Sequence, residues 1–450
     1  MGFALFSQLR LTRPNSDLTP LSLRKNFSWT LMGNAAYAAS RWLVLVILAK
    51  LGSPEMVGEY ALAVAISMPI FAFTDLNIWG VMVTDVKRSY DFGDYLGLNI
   101  LTTSIGILVT LGIVAALGYG REKNLVIILI TLDRVAVSIS YIFYGLFQQH
   151  ERMDFIATSM LIKSGLSLAL ISLLAYLTGN IIWICLGFVL SSVTAFFSYD
   201  FRKGFLFARV NSGGNPEVVK EPSAQISLQP RFMAAKLMKL AWLAFPLGCV
   251  FALLSLNYNI PRYFLERYQG ARALGIFAAI YAPAFGGRFI LTALGNAASR
   301  RLASYYNLGS KTAYPFLLVK LGGIGLLIGV AGIVITALAG KQILHILYRA
   351  EYAEYSRAFL LLMVATAIYY LAIFMSYGIT AARQFWAQIP LFAFIGTVSA
   401  TACYFMVPTR GVSGAAISEI ITQVAAFAGS FIVIIYAIKS RTKNQTRLTS

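Results

Sequence analysis

Twelve long apolar runs are the feature that most constrains what this chain can fold into. Each is close to the ~20 residues that an α-helix needs to cross a bilayer. They cover residues 27–49, 57–78, 96–118, 124–147, 154–178, 180–199, 238–259, 273–297, 314–338, 357–380, 386–407 and 413–438. Of the 450 residues, 58% are hydrophobic and 12% are charged, against about 45–50% and about 25% in soluble domains. The sequence therefore predicts an all-α polytopic membrane protein with about 12 transmembrane helices.

The positions of Lys and Arg predict the orientation of these helices. With twelve spans both termini lie on one side, which carries 22 Lys and Arg against 10 on the other. Because cytoplasmic loops are enriched in Lys and Arg, both termini are predicted to be cytoplasmic. The same bias accounts for the net charge of +19, which in a soluble protein would indicate nucleic-acid binding. No nucleic-acid partner is expected.

The longest stretch without an apolar run, residues 200–237, predicts a division into two halves. It contains two adjacent glycines and three prolines with scattered charges, a composition typical of a flexible linker. The predicted order is a cytoplasmic tail, a six-helix lobe, a cytoplasmic linker, a second six-helix lobe and a second tail, at residues 1–26, 27–199, 200–237, 238–438 and 439–450.

The two halves also share short motifs in matching places. Gly58-Glu59-Tyr60-Ala61 opens the second span, and Gly275-Ile276-Phe277-Ala278 opens the eighth. Tyr-Gly pairs at 144–145 and 377–378 close the fourth and tenth spans. Such internal repeats are typical of secondary transporters, which bind their substrate between the halves.

Several longer motifs resemble those of polysaccharide flippases, which belong to the multidrug/oligosaccharidyl-lipid/polysaccharide exporter (MOP) superfamily. The motifs are Leu51-Gly52-Ser53-Pro54-Glu55 with Gly58, Tyr60 and Ala61, and the segments 145–153, 245–248, 259–264, 274–277 and 343–353. They follow the family's order over nearly the whole chain. The resemblance implies two lobes around a central cavity, and transport of lipid-linked sugars across a bacterial cytoplasmic (inner) membrane.

Charged residues within the apolar spans indicate where a substrate would bind, since ionisable groups at membrane depth usually face a cavity or a partner. A polar stripe at helical spacing leads through Asn34 and Tyr37 to Arg41 in the first span. A second stripe, Tyr281, Arg288 and Thr292, follows the eighth span. These six residues are the predicted substrate-binding set. For Arg41 the alternative is a side chain that extends outward to the membrane surface.

Prolines and glycines predict hinges in the seventh and eighth spans. Proline removes a backbone hydrogen bond and glycine permits bending. The candidate hinge residues are Pro246, Gly248, Pro283, Gly286 and Gly287.

Asp133, Arg134 and Lys163 form a further group of in-span charges, with a coupling or a structural role. An Asp133–Lys163 ion pair between neighbouring helices is the structural interpretation, and a proton or sodium site is the alternative. Lys320 and Glu419 are expected to extend to the membrane surface, and Asp75 and Asp85 to be solvated. No catalytic residue, metal site or cofactor is predicted, and coupling to an H⁺ or Na⁺ gradient stays open.

Basic residues outnumber acidic ones in the spans, five to two, with Arg41, Arg134, Lys163, Arg288 and Lys320 against Asp133 and Glu419. A positive interior favours an anionic cargo such as a polyprenyl-pyrophosphate-linked oligosaccharide. The leading hypothesis is thus a flippase, with this cargo, membrane lipids and other polysaccharide-assembly proteins as partners. The alternatives are a multidrug/cation antiporter of the same architecture, an intramembrane polymerase or ligase, and a channel or structural membrane protein. An intramembrane polymerase or ligase needs a long extracytoplasmic loop that carries catalytic side chains. No predicted loop is long enough, so an enzyme is not expected.

The Lys and Arg asymmetry predicts the side of each loop. Reporters fused at Gly214 and after Ser440 should report cytoplasm, whereas reporters at Tyr268 and Tyr352 should report the outside. Paired phosphatase and fluorescent-protein fusions measure this. An outside signal at Gly214 would contradict the twelve-span topology.

Overall fold

The computed structural model describes residues 19–85, 88–212, 227–308, 312–382 and 384–449, and helices contain most of them. The first half contains α1 (Leu23–Leu51), α2 (Pro54–Thr74), α3 (Ile78–Thr84), α4 (Phe92–Leu117), α5 (Arg121–Gln149), α6 (Met153–Thr178), α7 (Ile181–Ala195), a π-helical turn (Phe196–Asp200) and α8 (Phe201–Ser212). The second half contains α9 (Ala234–Ala284), α10 (Arg288–Leu308), α11 (Ala313–Leu347), α12 (Ala350–Ala353), α13 (Ser356–Ala381) and α14 (Phe385–Thr449).

Ten helical segments of the described residues are long and apolar enough to cross a membrane. Two of them belong to α9 and α14, which have 51 and 65 residues. At 1.5 Å per residue both exceed twice the ~30 Å hydrocarbon core. Each bends at a glycine with a positive φ, Gly270 (78°) and Gly411 (54°), a conformation that glycine adopts at little cost. Each therefore supplies two spans, and the twelve-span all-α membrane fold is confirmed.

Two transmembrane segments are broken within their length. The second predicted span is interrupted at residues 75–77, between α2 and α3, where Leu76 and Asn77 have positive φ angles of 50° and 47°. The eighth is interrupted at residues 285–287, between α9 and α10. The second break lies at the candidate hinge glycines Gly286 and Gly287, whereas no glycine or proline marks the first.

The buried apolar residues form three clusters, which are distributed unevenly along the helices. One cluster joins both halves near the loops that face away from the termini, with Leu48, Tyr60, Phe277 and Tyr352 among its members. The other two lie toward the termini, one in each half, around Phe147 and around Phe374, respectively. The halves thus share one core at the predicted outer face and have separate cores at the predicted cytoplasmic face.

The shared core depends on a close approach of α2 and α9. A Cβ atom on Gly58 would lie 1.8 Å from the Ala271 carbonyl oxygen, and one on Gly275 would lie 1.8 Å from the Pro54 carbonyl oxygen. These are the glycines of the repeated motif. They lie opposite one another because each opens its helix on the predicted outer face.

Polar contacts tie the halves together at the same face. Arg272 donates to Glu55 (Nη1–Oε1, 3.0 Å) and to Glu351 (Nη2–Oε2, 2.6 Å). Glu266 of α9 receives hydrogen bonds from Lys123 at 2.8 Å and from Tyr119 at 3.0 Å. These contacts connect the outer ends of α2 and α5 to the second half.

The predicted linker and lobe boundaries differ from the observed helices. Helix continues through α8 to Ser212, and residues 213–226 lie outside the described part of the chain. Arg231 then forms an ion pair with Asp91 at the start of α4, where a Cβ on Gly97 would lie 2.1 Å from the Arg231 carbonyl oxygen. The first turns of α9, including Leu240, pack in the core of the first half. The packing therefore does not separate two lobes at residue 238, because α9 packs against both halves.

The predicted tails are also partly helical. The first eighteen residues and Ser450 lie outside the described residues, and α1 begins at Leu23, inside the tail predicted over 1–26. At the other end α14 continues to Thr449, through the tail predicted from 439.

The glycine contact between α2 and α9 predicts a specific sensitivity to added side-chain volume. Gly58→Ala or Gly275→Ala should destabilise the protein by about 1–3 kcal/mol, because the new methyl group overlaps the facing backbone. Gly165→Ala in α6 is the control, because a Cβ there meets nothing within 4 Å. Thermal unfolding of the detergent-solubilised protein measures the effect. Equal stability of Gly58→Ala and Gly165→Ala would contradict the close approach.

Candidate functional site

Arg41 lies inside the first half, one helical turn after Tyr37 on α1. Its guanidinium donates to the Tyr37 hydroxyl (Nη2–Oη, 2.9 Å) and lies 3.6 Å from the Asp133 carboxylate of α5. It also lies over the Phe188 ring of α7, 5.2 Å from the ring centre. With 22% of its side chain exposed, Arg41 faces an interior surface of the helix bundle and does not extend outward to the membrane surface.

Asp133 pairs with Arg41 and Ser192, and not with Lys163 as the sequence suggested. The Ser192 hydroxyl of α7 donates to Asp133 Oδ1 at 2.5 Å, while Oδ2 faces Arg41. The prediction of an Asp133–Lys163 ion pair is therefore wrong, because the partners of Asp133 lie on α1 and α7.

Lys163 interacts electrostatically with a different carboxylate, that of Asp200. Its ammonium donates to the Ser140 hydroxyl at 3.3 Å, and Asp200 is the first of the charges that stabilise it. Asp200 is completely buried at the end of the π-helical turn. Such turns insert one extra residue and rotate the helix that follows. The sequence had placed Asp200 at the start of the linker.

Arg134 and Asp133 point in different directions from α5, as adjacent helical residues do. Arg134 acts electrostatically on Asp75, at the break between α2 and α3. The Ser138 hydroxyl donates to Asp75 Oδ1 at 2.5 Å. The expectation that Asp75 is solvated is therefore wrong, because the helix break turns its side chain toward α5.

Arg288 is the first residue of α10, directly after the break at residues 285–287. It is exposed, and its guanidinium donates to the Tyr369 hydroxyl of α13. One turn further, the Tyr377 hydroxyl donates to the Thr292 carbonyl at 3.3 Å and to Asn296 Oδ1 at 3.1 Å. The predicted stripe of the eighth span therefore forms a polar surface shared with α13.

Tyr281 is buried behind this surface, in a second group of charged residues. Its hydroxyl donates to Glu419 Oε1 at 3.5 Å, and its ring stacks on Phe285 with centres 4.1 Å apart. Arg262 lies over the Tyr258 and Tyr281 rings, at 4.6 and 5.8 Å from their centres. Glu419 is 4% exposed, so the expectation that it extends to the membrane surface is wrong. It receives a hydrogen bond from Gln423 at 2.8 Å.

The remaining predicted residues are spread over the structure. Asn34 and Pro246 are exposed, and so is Lys320. Gly248 packs against the first helix break, where its Cβ would lie 2.7 Å from Leu76 Cδ2. Pro283 lies in the last turn of α9, next to the break. The described residues contain no group of three or more Cys, His, Asp and Glu side chains that could hold a metal ion.

The observed helices change the charge balance that the sequence suggested. Asp75 and Asp200 are added to the acidic residues of the transmembrane helices, and Arg262 is added to the basic ones. In the first half three basic residues, Arg41, Arg134 and Lys163, now face three acidic ones, Asp75, Asp133 and Asp200. In the second half Arg262, Arg288 and Lys320 exceed Glu419 by two. The positive excess is therefore smaller than predicted and lies in the second half.

Asp200 and Arg262 are the main residues that sequence reasoning missed. Both follow an apolar run by one to three residues, outside the spans that these runs predict. Residues 201–207 contain three phenylalanines, which indicate a continuing helix. After Pro261, no further glycine or proline interrupts the chain before Gly270, so the helix of the seventh span extends past its apolar run.

The fold defines a multi-pass membrane protein with charged residues at membrane depth, and comparisons with known proteins identify its family. Residues 23–299 match the family model described as "Polysaccharide biosynthesis protein", and the chain belongs to that family. It is 28% identical over 403 residues to the "Capsular polysaccharide biosynthesis protein CapF" of Staphylococcus aureus. The match covers 89% of this chain and 96% of the relative.

Solved structures with this fold are transporters of the MOP superfamily. One is a MATE-family multidrug resistance transporter in an inward-facing conformation, with a TM-score of 0.65, 12% identity and coverage of 96% and 98% of the two chains. Another is a MOP transporter from Pyrococcus furiosus, with a TM-score of 0.55, 13% identity and coverage of 91% and 93%. These likenesses show that the chain has the fold of these transporters. The protein is a multi-pass membrane protein of the polysaccharide biosynthesis family.

The Arg41–Asp133 pair predicts non-additive effects on stability. Asp133→Asn should destabilise the protein by about 3–5 kcal/mol, because it leaves a charged guanidinium without its carboxylate. The double variant Arg41→Gln/Asp133→Asn should recover part of that loss. Unfolding of the purified variants measures the coupling, and Lys320→Gln is the control for loss of an exposed charge. Additive losses in the double variant would exclude a functional pair.

Proposed function

We propose that this transporter moves a polyprenyl-pyrophosphate-linked oligosaccharide across the bacterial cytoplasmic membrane, for the assembly of a cell-surface polysaccharide. Membership of the polysaccharide biosynthesis family supports a precursor of such a polymer as cargo. The capsular relative supports the same class of product. Membrane lipids and other polysaccharide-assembly proteins are the proposed partners, and both termini are proposed to be cytoplasmic.

The exposed guanidinium of Arg288 at a break within a transmembrane segment is the observation that carries this proposal. Freed backbone groups at such depth are tolerated only where protein or water satisfies them. Guanidinium groups bind phosphate oxygens through paired, charge-assisted hydrogen bonds. The guanidinium of Arg288 is exposed and donates to the Tyr369 hydroxyl of α13, so a pyrophosphate can reach it.

Arg41 supplies a second, weaker contact in this proposal. Its charge is shared with Asp133, so an anion gains less from it than from Arg288. Asn34, Tyr37 and Thr292 are proposed to contact the head group or the sugar. Tyr281 has a different proposed role, because its hydroxyl is buried with Glu419: it supports the break that presents Arg288.

The distribution of the cores supports alternating access. The halves share a core and ion pairs at the predicted outer face, and they have separate cores at the predicted cytoplasmic face. This arrangement would admit a head group from the cytoplasmic side while the prenyl chain remains in lipid. Rocking of the halves about the glycine contact, with bending at Pro246, Gly248, Pro283, Gly286 and Gly287, would then open the other face.

The three acidic residues inside the first half favour a second candidate function, a multidrug/cation antiporter. Asp75, Asp133 and Asp200 offer negative charge that a cationic drug would need. Each already faces a basic residue of the same half, which weakens this alternative. Drug-susceptibility measurements on a strain that lacks the gene test it directly.

Arg288→Ala is expected to abolish export without loss of folding or membrane insertion. Losing a buried charged contact typically costs about 2–5 kcal/mol of binding, or about 30- to 4,000-fold in affinity. Arg288→Lys keeps the charge but loses the planar fork, so it should lie between wild type and Arg288→Ala. Arg41→Ala should reduce export less severely than Arg288→Ala, because Asp133 already neutralises part of that charge.

The measurement is the amount of lipid-linked oligosaccharide on the inner leaflet of cells that lack the wild-type gene. Lys320→Ala is the control, since it removes an exposed charge of α11 that the proposal does not assign to the substrate, and it should leave export unchanged. Full export by a stable Arg41→Ala/Arg288→Ala variant would exclude the cationic-contact mechanism.

A further inference from the structure

A partly open cavity of about 230 Å³ lies at the break between α2 and α3, where α4, α5 and α9 also contribute to its wall. The wall combines aromatic rings with short polar side chains, and it includes Trp79, Tyr141 and Phe251 together with Asp75 and Asn77. Binding pockets for small molecules are typically lined in this way, with a few polar groups among apolar and aromatic ones. The substrate contacts proposed above do not use this cavity.

The aromatic rings offer a rigid flat surface. The Trp79 ring stacks on that of Tyr141, with ring centres 5.8 Å and planes 22° apart, and both side chains are half-buried. Phe251 of α9 is 43% exposed. The face of an aromatic ring carries partial negative charge, which attracts the weakly positive C–H groups on the apolar face of a pyranose ring. A sugar can therefore pack against this part of the wall.

The polar side chains at the break can bind hydroxyl groups. Asp75 is half-buried, and its Oδ1 accepts from the Ser138 hydroxyl at 2.5 Å, the only hydrogen bond to this carboxylate among the described residues. Asn77 precedes α3, and its side chain caps no backbone N–H of that helix. A carboxylate accepts hydrogen bonds and an amide both donates and accepts. This combination matches the neighbouring hydroxyl groups of a sugar.

The size and position of the cavity indicate which part of the cargo it fits. Pockets for drug-sized ligands are typically about 300–1,000 Å³, so this one has room for a single ring. Tyr141 interacts electrostatically with Tyr37 and Arg41, as well as with Asp75. Arg41 and Tyr37 are the contacts proposed above for the cargo in the first half. A sugar joined to a pyrophosphate at Arg41 would thus lie beside Tyr141.

We propose that this cavity binds one pyranose unit of the oligosaccharide, the unit next to the pyrophosphate. Its apolar face packs on the aromatic rings, and its hydroxyl groups bind Asp75 and Asn77. A lipid chain fits the cavity less well, because it would leave these polar groups without partners. A site that hydrogen-bonds hydroxyl groups discriminates against analogues that lack them, so the cavity selects among sugars. That this sugar belongs to a lipid-linked cargo rests on the proposed transport function, whereas the binding of a pyranose does not.

The test uses the purified full-length protein in lipid nanodiscs. The probes are the methyl glycosides of glucose, galactose, mannose and N-acetylglucosamine, and saturation-transfer NMR detects weak binding from the probe's own resonances. We expect at least one glycoside to receive saturation from the protein, most strongly at the C–H protons of one ring face. Cyclohexanol, which has a six-membered ring with a single hydroxyl group, should not displace it.

Two variants at the break assign the signal to this cavity. Trp79→Ala should weaken the apparent affinity for the glycoside by about tenfold or more, because it removes the largest ring of the wall. Asn77→Gly should weaken it by about two- to tenfold, through loss of a hydrogen bond. Residue 77 has a φ of 47°, which glycine adopts at no steric cost, so this variant should fold. Trp183→Ala is the control, because Trp183 of α7 is 52% exposed and does not line the cavity.

A third variant tests the carboxylate. Asp75→Ala should weaken the apparent affinity by about tenfold or more, since hydrogen bonds to charged groups are the stronger ones. Asp85→Ala is its control. Asp85 follows α3 and accepts from the Tyr90 backbone N–H at 3.2 Å and from the Tyr95 hydroxyl at 3.0 Å, and it does not line the cavity. This control should bind the glycoside as the wild type does.

Several results would overturn the proposal. These are the absence of saturation transfer to every glycoside, equal affinities of Trp79→Ala and Trp183→Ala, and displacement of the glycoside by cyclohexanol. If Trp79→Ala does not fold, unchanged affinity in Asn77→Gly is the contradicting result.

Export measurements separate this proposal from the flippase proposal. Loss of export in Arg288→Ala with full export in Asn77→Gly and Trp79→Ala would exclude the sugar subsite and keep the flippase. Glycoside binding that depends on Trp79, in a protein that exports no lipid-linked oligosaccharide, would keep the sugar site and exclude the flippase.

Discussion

Gly58 of α2 and Gly275 of α9 let two helices from opposite halves pack backbone against backbone at the predicted outer face. Lipid supplies little hydrophobic driving force between helices, so close packing of small residues has to hold them together. The ion pairs of Arg272 with Glu55 and Glu351 lie at the same end. Toward the termini the buried apolar residues form two further clusters, and the first turns of α9 pack in that of the first half.

Each of the two helix breaks lies beside polar side chains of neighbouring helices. The bilayer core provides no water for unpaired backbone groups, so a break is stable only beside protein or a wet cavity. At residues 75–77 the neighbours are Asp75, Ser138 and the Asn99 side chain. At residues 285–287 they are Arg288 and the tyrosines of α13. The two breaks thus place charged side chains at membrane depth. The carboxylate of Asp75 lies in the first half and the guanidinium of Arg288 in the second.

Pairing of charges decides which of them remain available to a substrate. Burying an ionised group alone is costly, so buried charges are usually paired. In the first half Arg41 lies 3.6 Å from Asp133. Lys163 and Arg134 interact electrostatically with Asp200 and Asp75, respectively. In the second half Arg262 and Glu419 lie among buried tyrosines. Arg288 differs from these residues because its side chain is exposed, beside the Tyr369 hydroxyl.

The amino-acid sequence by itself determined the class of fold, the twelve spans and the resemblance to the family motifs. These features depend on composition and on the local order of residues along the chain. The repeated Gly-x-aromatic-Ala motif also indicated matching helices in the two halves. Only the tertiary structure decided that Asp133 pairs with Arg41, that Asp200 is buried beside Lys163 and that Asp75 lies at a helix break. The physical reason is that a partner is chosen by which helices pack together and by small local rotations, such as the π-helical turn before Asp200. Residues far apart in the chain carry no sequence signal of that choice.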